Sequence, residues 1–425
     1  MRPVMTGVRT TVRRQADRRR ATFIAFLAVM GPGIITGFAG NDAGGVTTYT
    51  AVGAHYGFSM LWLLVLSTIG LLVIQEMCAR MGAVTGKGLS DLIRERFGVG
   101  WTAVAMLALL IANGSNIAAE YAGIAASVEL LGVPRIVSVP LAAIVIWSLV
   151  VFFSYRVVER VLLVLVLAYV AYPISAFIVQ PSWGDVGLGL VIPTLPTGQT
   201  ALIAALALVG TTITPYMQFY IQASTVDKGI GKEQYGLARV DVLLGALLTG
   251  INAFFMIVVA GAVLFPAGVH VETAADAARA LGPIAGPQSQ LLFAMGLFGA
   301  SLLAATIMPL STSYAICEAF GWESGISKNF RDAPVFMGLF TLLLIVGGIV
   351  VLIPGLPLVP LILISQNVNG LLLPVVLIFV LKLASDKTIM GDRRNGAFGT
   401  IIGTGTALLA SSLSVGLVAA TLLGL

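Results

Sequence analysis

Long apolar stretches separated by short polar ones repeat along this chain from Ala21 to its end. A membrane-spanning helix needs roughly 20 mostly apolar residues, and about 11 stretches reach that length. They cover residues 22–54, 57–84, 101–132, 136–154, 157–179, 199–226, 237–266, 287–320, 334–354, 357–383 and 397–424. With 58% hydrophobic and 10% charged residues, the composition excludes an ordinary soluble domain. The sequence therefore predicts an all-α polytopic membrane protein.

The basic residues are distributed unevenly between the polar connections. If the N-terminus is cytoplasmic, 22 of the 24 Lys and Arg residues fall on the inner side, and only Arg135 and Arg279 fall outside. This positive-inside asymmetry predicts a plasma-membrane protein with a cytoplasmic basic tail over residues 1–20 and an external C-terminus. The basic residues are spread over separate inner stretches, which suits contact with an anionic lipid surface and argues against nucleic-acid binding.

The first apolar segment contains an acid and a cluster of glycines at its middle, in the run Gly40-Asn41-Asp42-Ala43-Gly44-Gly45. A carboxylate near the bilayer centre costs roughly 2.5–3.5 kcal/mol on insertion scales, so it indicates function. Glycine weakens a helix interior, and a broken membrane helix is tolerated where its free backbone groups line a cavity or are buried in protein. This run therefore predicts a helix break that holds a cation.

The sixth segment contains a second break, at Thr214-Pro215-Tyr216. Pro215 removes a helical hydrogen bond and frees the carbonyl group of Thr211, four residues earlier. Two breaks five segments apart predict two inverted five-helix repeats with a substrate site between them, as in secondary transporters. The predicted transmembrane domain spans 21–425, with repeat one at 21–180, repeat two at 198–383 and an additional helix at 397–424.

No pattern of catalytic residues accompanies this architecture. The sequence has no paired histidines, no Ser/His/Asp set and no phosphate-binding loop, and its two histidines, His55 and His270, sit at outer segment ends. We therefore expect a transporter and not an enzyme, with no resident cofactor and no obligate protein partner. Its partners are the lipid bilayer and the transported substrate.

Several motifs in the chain resemble those of the Nramp transporters. They occur in order over about residues 30–382, and the block from 31 to 87 is the most specific. They are Gly31-Pro32-Gly33, Asp42-Ala43-Gly44-Gly45, Gly53-Ala54-His55-Tyr56-Gly57, Ala79-Arg80-Met81-Gly82-Ala83-Val84-Thr85-Gly86-Lys87, Thr214-Pro215-Tyr216, Glu318-Ala319-Phe320 and Ser365-Gln366. The resemblance implies a LeuT-like fold with helices 1 and 6 broken, and import of divalent metal ions with protons.

The chain departs from the family pattern at the ion site itself. The family's Asp-Pro-Gly-Asn keeps its acid as Asp42 but has Gly45 in the asparagine position, and the family's Met-Pro-His becomes Thr214-Pro215-Tyr216. In the third segment Asp-Leu-Ala-Glu becomes Ile117-Ala118-Ala119-Glu120. These departures resemble a branch of Nramp-related magnesium transporters. By the resemblance, Asp42, Thr214 and Gln366, the carbonyl groups of Ala39 and Thr211, and the position of Gly45 form the metal site.

The chemistry of the substituted side chains favours a hard ion. A methionine sulfur is a soft ligand suited to transition metals, whereas Thr214 offers a hydroxyl oxygen and Gly45 is expected to leave more room. Mg²⁺ loses its water reluctantly and is held by one or two carboxylates plus several waters. We therefore expect alternating-access import of largely hydrated Mg²⁺, with Mn²⁺ also accepted. The alternative for Thr214 is a hydroxyl bonded within its own helix.

The same departures predict transport without proton coupling. Ile117 cannot carry a proton, and Tyr216 does not titrate near neutral pH, so the membrane potential is the expected driving force. Candidate pathway residues are Glu120, Tyr216, Asn41 and Glu76; Glu120 has a structural alternative, and Glu76 has one as an i,i+4 partner of Arg80.

Three alternatives stay open at this point. One is a proton-coupled Mn²⁺ or Fe²⁺ importer with Glu120 as proton carrier, and another is transport of a trivalent ion such as Al³⁺. The third is an organic-solute symporter of the same fold, which Asp42 opposes because it would repel a substrate carboxylate.

Overall fold

The computed structural model describes residues 32–153, 157, 161, 164, 171–279, 289–326 and 328–423, so the predicted tail over 1–20 lies outside it. The described residues are helical and contain no strand. The first half comprises α1 (Pro32–Ala39), α2 (Ala43–Tyr56), α3 (Leu61–Thr85), α4 (Leu89–Glu129), α5 (Arg135–Phe152), α6 (Ala171–Val179) and α7 (Trp183–Val191). The second comprises α8 (Gln199–Thr212), α9 (Pro215–Asp227), α10 (Tyr235–Val263), α11 (Ala274–Ala278), α12 (Ser289–Phe320), α13 (Pro334–Val351), α14 (Leu358–Ser385), α15 (Lys387–Met390) and α16 (Ala397–Leu423).

The helices agree with most of the predicted spans. Among the described residues, nine helices are long and apolar enough to cross a membrane, with α8 and α9 counted as one. The first predicted span corresponds to the two shorter helices α1 and α2, and most of the fifth, 157–179, lies outside the described residues. The prediction of an all-α polytopic membrane fold is confirmed, whereas the repeat boundaries stay a prediction.

The third predicted span corresponds to the part of α4 that follows a kink. α4 begins at Leu89, but its backbone leaves the helical conformation at Gly98, where φ is 81°, so the predicted start near residue 101 lies just after the kink. Glycine adopts this left-handed conformation without the steric cost of a Cβ. The residues from 89 to 97, in the polar connection between the second and third spans, therefore form a helical segment of about two and a half turns before the apolar part.

Both predicted helix breaks are present. Between α1 and α2, Gly40, Asn41 and Asp42 leave the helical conformation. Between α8 and α9, Ile213 and Thr214 do so, and Pro215 becomes the first residue of α9. Proline is favoured at this position because its missing N–H has no helical partner there.

Close glycine contacts hold the broken helix against α10. A Cβ at Gly33 would lie 2.5 Å from the backbone of Val242, and one at Gly245 would lie 2.1 Å from the Gly33 carbonyl oxygen. In addition, the Gly33 N–H donates to Asp241 Oδ2 at 2.6 Å, which satisfies a free donor at the start of α1. Because lipid supplies little hydrophobic drive, such small-residue contacts and buried hydrogen bonds are what bring membrane helices together.

Candidate metal centre

Asp42 lies at the first break and uses one oxygen to begin α2. It is the N-cap residue, and its Oδ1 accepts a hydrogen bond from the Gly45 N–H at 2.6 Å. A carboxylate is a preferred cap because it satisfies an amide that has no helical partner. The side chain is fully buried, and Oδ2 has no hydrogen-bond partner. One oxygen is therefore structural and the other is available to a ligand.

Glu120 of α4 lies beside Asp42. Its Oε2 accepts from the N–H of Ala43, the residue that follows Asp42, at 3.1 Å, so the two carboxyl groups lie side by side at the break. Glu120 Oε1 is buried without a partner. None of the ion pairs among the described residues includes either group. Two buried carboxyl groups in contact repel each other unless a cation or a proton lies between them.

The Gln366 side chain of α14 lies against Gly44, at the same break. A Cβ at Gly44 would lie 1.9 Å from Gln366 Nε2 and 3.0 Å from Asp42 Oδ1, so only glycine permits this approach. On the other side, α14 touches α8 directly, because a Cβ at Gly210 would lie 2.5 Å from the Gln366 carbonyl oxygen. The structure thus brings together three of the predicted elements: the first break, α8 and Gln366.

A network of buried side-chain amides surrounds Gln366, and sequence reasoning missed it. Asn116 Oδ1 accepts from Gln366 Nε2 at 3.2 Å and from Asn369 Nδ2 at 2.9 Å. Asn116 Nδ2 donates to Asn369 Oδ1 at 2.8 Å, and Gln366 Oε1 accepts from Asn369 Nδ2 at 3.0 Å. The available signal was spacing, because Asn116 is four residues before Glu120 and Asn369 three after Gln366, so each shares a helix face with a predicted site residue.

At the second break the two predicted ligands bind each other. The Thr214 hydroxyl donates to the Thr211 carbonyl oxygen at 3.0 Å, which is the alternative arrangement considered for Thr214. Both oxygens keep lone pairs that this bond does not use. The Thr214 carbonyl in turn accepts from Gln218 Nε2 at 3.3 Å, and the buried Gln218 Oε1 has no partner.

The expected extra room at Gly45 is absent. A Cβ there would lie 2.8 Å from the Gly40 carbonyl oxygen and 3.4 Å from the Tyr49 ring, so the backbone already fills the space. Glycine at this position allows the tight turn of the break. Ala39, the other predicted backbone ligand, is the last residue of α1 and is fully buried.

A methionine sulfur lies near the first break, which the sequence analysis did not predict. A Cβ at Gly40 would lie 1.9 Å from Met217 Cε and 3.5 Å from Met217 Sδ. Gln75 Nε2 donates to this sulfur at 3.5 Å. Met217 lies two residues after Pro215, a position that the methionine pattern of the sequence did not single out.

The remaining candidate pathway residues have identifiable partners. Asn41 Nδ2 donates to the Thr249 carbonyl oxygen at 3.2 Å, and the buried Tyr216 carbonyl accepts from Ser311 Oγ at 3.0 Å. Glu76 forms the predicted i,i+4 ion pair with Arg80 at 3.2 Å and also accepts from the Tyr235 hydroxyl. Glu76 and Arg80 line a separate cavity of about 600 Å³ between α3, α10 and α16.

Two adjoining cavities lead towards the breaks from the face that carries His55. The larger, the vestibule, has a volume of about 950 Å³ and is lined by His55, Glu129, Arg135, Glu272 and Asn367, among others. The smaller, the chamber, has a volume of about 230 Å³ and is lined by His55, Asn367, Thr48 and Ala207, among others. Thr48 and Ala207 lie about one to two helical turns from Asp42 and Thr211. The chamber therefore ends close above the candidate site.

Comparison with known families identifies the chain. Residues 33–420 match the Nramp family, described as natural resistance-associated macrophage protein-like. The chain belongs to the Nramp family. This match includes both breaks, Glu120 and Gln366, so the resemblance in the motifs extends over nearly the whole chain of this Nramp protein.

Curated relatives cover the Nramp chain almost from end to end. It is 28% identical over 419 residues to a protein named divalent metal cation transporter MntH from Bacillus subtilis, with 95% of each chain covered. It is also 28% identical over 426 residues to the MntH protein of Klebsiella pneumoniae strain 342, with 98% of this chain and 99% of the relative covered.

Solved structures confirm the LeuT-like transporter fold. A structure of an Eremococcus coleocola manganese transporter superposes with a TM-score of 0.77 at 22% identity, covering 92% of this Nramp chain and 85% of the other. Mhp1, a nucleobase-cation-symport-1 family transporter, superposes with a TM-score of 0.58 at 13% identity, covering 92% of each chain. At these identities the likeness extends to the fold alone.

Proposed function

We propose that this protein transports divalent metal ions across the membrane by alternating access and that Asp42 binds the ion. The observation that carries the proposal is the buried Asp42–Glu120 contact, which has no cationic side chain to balance it in any described ion pair. Such a site attracts a cation because burial makes unbalanced negative charge costly. Relatives named divalent metal cation transporters support the same assignment.

We further infer that the preferred ion is Mg²⁺, carried with much of its water. Water bound to a cation donates hydrogen bonds outward, so a hydrated ion needs acceptor oxygens around it. Buried oxygen atoms without a donor occur at both breaks: Asp42 Oδ2, Glu120 Oε1, Thr211 Oγ1 and Gln218 Oε1. A side-chain hydroxyl, Thr214, precedes Pro215 and adds a hard ligand there.

The route to the site has room for a hydrated ion. Six waters occupy on the order of 180 Å³, and the chamber has about 230 Å³. Thr48 Oγ1 and Asn367 Oδ1, from two residues that line the chamber, are acceptor oxygens without a donor. An ion can therefore come within about two helical turns of the breaks before it loses its water.

We also propose that protons do not move with the ion. Ile117 packs against Gly347 of α13, where a Cβ would lie 2.4 Å from the Ile117 side chain. The whole of α13 contains no ionisable side chain, so this contact offers no proton acceptor. The membrane potential then drives import in a plasma membrane, with the N-terminus inside and the C-terminus outside.

A proton-coupled Mn²⁺ or Fe²⁺ importer is the second candidate, and two observations favour it. Met217 places a soft sulfur beside Gly40, and the Glu120 carboxyl group in contact with Asp42 is a group that can hold a proton. The relative from Eremococcus coleocola is named a manganese transporter. An organic-solute symporter is disfavoured because the two carboxyl groups would repel a substrate carboxylate.

Uptake into proteoliposomes separates the two candidates. Vesicles loaded with a Mg²⁺-sensitive dye should report uptake while a second dye shows constant internal pH. Mg²⁺-dependent acidification, or Mn²⁺ uptake unaffected by millimolar Mg²⁺, would contradict the Mg²⁺ uniport proposal and support the second candidate.

The role of Asp42 is tested by a pair of variants. Asp42→Ala should abolish uptake and also remove the helix cap, which costs about 0.5–2 kcal/mol of stability. Asp42→Asn keeps an oxygen that can accept from the Gly45 N–H, so it should retain the thermal stability of the wild type but lose uptake. If Asp42→Asn takes up the ion at the wild-type rate, the carboxylate is not needed for transport and the proposal is wrong.

A further inference from the structure

The chain contains only two histidines, and the fold brings them into contact. His55 lies in the last turn of α2, and His270 lies in the connection between α10 and α11. Their ring centroids are 4.7 Å apart, and the ring planes are inclined at 32°. Both side chains are exposed, so they can change rotamer without disturbing the core.

The hydrogen bond of His55 leaves one ring nitrogen ready to bind a metal ion. Its Nδ1 is 2.9 Å from the Ala51 carbonyl oxygen. A carbonyl oxygen can only accept, so Nδ1 carries the hydrogen and Nε2 carries the lone pair. Metal-binding histidines commonly show this arrangement, because the bond from the other nitrogen orients the ring.

The location of His55 means that an ion bound there would lie in the route to Asp42. His55 lines both the vestibule and the chamber, and Val271, the residue after His270, lines the vestibule, so an ion bound to His55 lies where the two cavities adjoin. Imidazole suits Zn²⁺, Ni²⁺ and Cu²⁺, whereas Mg²⁺ prefers oxygen ligands. An ion held here is therefore of a different class from hydrated Mg²⁺ and lies in the path towards Asp42.

We propose that His55 and His270 form a regulatory site for a borderline transition-metal ion such as Zn²⁺ or Cu²⁺, and that its occupation inhibits transport. Among the described residues, no group of three or more His, Cys, Asp or Glu side chains is placed to share an ion, so water completes the coordination. Such an open site exchanges its ion, so the inhibition of transport is reversible. The proposal does not rest on which ion is the cargo.

Copper binding to the full-length protein, purified without a histidine tag, tests the site directly. In electron paramagnetic resonance spectra, bound Cu²⁺ should show hyperfine coupling to imidazole nitrogens, which in this chain come from His55 and His270 alone. His55→Ala and His270→Ala should each weaken binding by about tenfold or more, by analogy with the loss of a supporting partner. Absence of imidazole coupling in the wild type, or unchanged Cu²⁺ affinity in the double variant, would overturn the proposal.

Two further variants separate this site from its surroundings. Glu272→Gln removes a charge from the vestibule wall, and Asp42→Ala removes the central carboxylate. Both should keep the imidazole signal, because neither changes the two rings. Loss of the imidazole signal in Asp42→Ala would show that Cu²⁺ binding to the two rings depends on the central carboxylate, which would count against an independent histidine site.

Inhibition of ion uptake by Zn²⁺ tests whether occupation of the histidine site reduces transport. Zn²⁺ is added to both faces of the vesicle membrane, which makes the result independent of protein orientation. In His55→Ala/His270→Ala the Zn²⁺ concentration for half-inhibition should rise by about tenfold or more. An unchanged half-inhibition concentration would show that Zn²⁺ acts elsewhere. Failure of the Mg²⁺ proposal would appear instead in uptake without Zn²⁺, so the two outcomes are distinguishable.

Discussion

The oxygen atoms at the two breaks differ in how their hydrogen-bonding capacity is used. Asp42 Oδ1 and Glu120 Oε2 accept from backbone N–H groups, whereas Asp42 Oδ2 and Glu120 Oε1 are buried and have no donor. Leaving an acceptor buried and unused costs about 1–3 kcal/mol, and more for a charged group. A bound cation with its waters supplies the missing donors and positive charge, so the cost is recovered when the site is occupied.

Thr214 is the residue at which ion preference should be easiest to change. Thr214→Met places a soft thioether before Pro215, and we expect the preference for Mn²⁺ over Mg²⁺ to rise by about tenfold, or ~1.4 kcal/mol. Competition between the two ions for uptake measures the change. Thr214→Val serves as the control, because it removes the hydroxyl without adding sulfur. An unchanged ion ranking in Thr214→Met would refute the argument from ligand hardness.

Met217 tests whether sulfur takes part in transport. If hydrated Mg²⁺ is the cargo, Met217→Leu should leave the uptake rate within about twofold, because this near-isosteric exchange usually costs less than 1.5 kcal/mol. Met308→Leu, at a buried methionine of α12, controls for packing. Mn²⁺ uptake that falls in Met217→Leu but not in Met308→Leu would favour the transition-metal alternative.

At the scale of helices, α4 and α14 are joined by side-chain amides as well as by packing. Asn116 of α4 contacts both Gln366 and Asn369 of α14. The reciprocal bonds fix where the Gln366 amide lies relative to Gly44, so the contact between two helices positions a predicted ligand. Asn116 is therefore a positioning residue for Gln366.

Asn116→Ala should affect both stability and ion affinity. It removes one hydrogen-bond acceptor from Gln366 Nε2 and both hydrogen bonds between Asn116 and Asn369. The loss should lower the free energy of unfolding by about 1–3 kcal/mol. The KM for ion uptake should rise about tenfold because Gln366 is no longer held. Asn113→Ala is the matched control: Asn113 is buried on the same helix, but its Nδ2 donates to Thr312 Oγ1 at 2.7 Å. It should lower stability and leave KM unchanged.

At the scale of the whole molecule, the prediction concerns the driving force. Moving two charges through 100 mV yields about 4.6 kcal/mol, which supports roughly a thousandfold accumulation. In proteoliposomes with an imposed potassium diffusion potential, uptake should follow the potential and ignore a pH gradient. Glu120→Gln is the informative variant, since it removes the remaining candidate proton carrier. Uptake by this variant should depend on the membrane potential as it does in the wild type, whatever its ion affinity. Accumulation driven by a pH gradient alone would contradict the prediction.

The features that could be predicted from the sequence are those with local causes. The glycines and the acid of the first segment and the proline of the sixth each act on their own backbone, which is why both breaks and the buried Asp42 were predictable. The amide network, the Met217 contact and the His55–His270 pair depend on how helices from distant parts of the chain face each other. Neither spacing nor composition carries that information. The expected room at Gly45 is absent for a local reason: the path of the backbone through the break brings the Gly40 carbonyl oxygen into that space.

The two oxygens of Asp42 have separate uses. Its Oδ1 bonds to the Gly45 N–H, whereas Oδ2 has no partner, so the start of α2 does not depend on the oxygen that is left for an ion. In the proposed uniport cycle the protein must return empty after each delivery, and a segment that unfolded on release would slow that step. Because the cap of α2 uses Oδ1 alone, we expect the return to proceed with this helix formed.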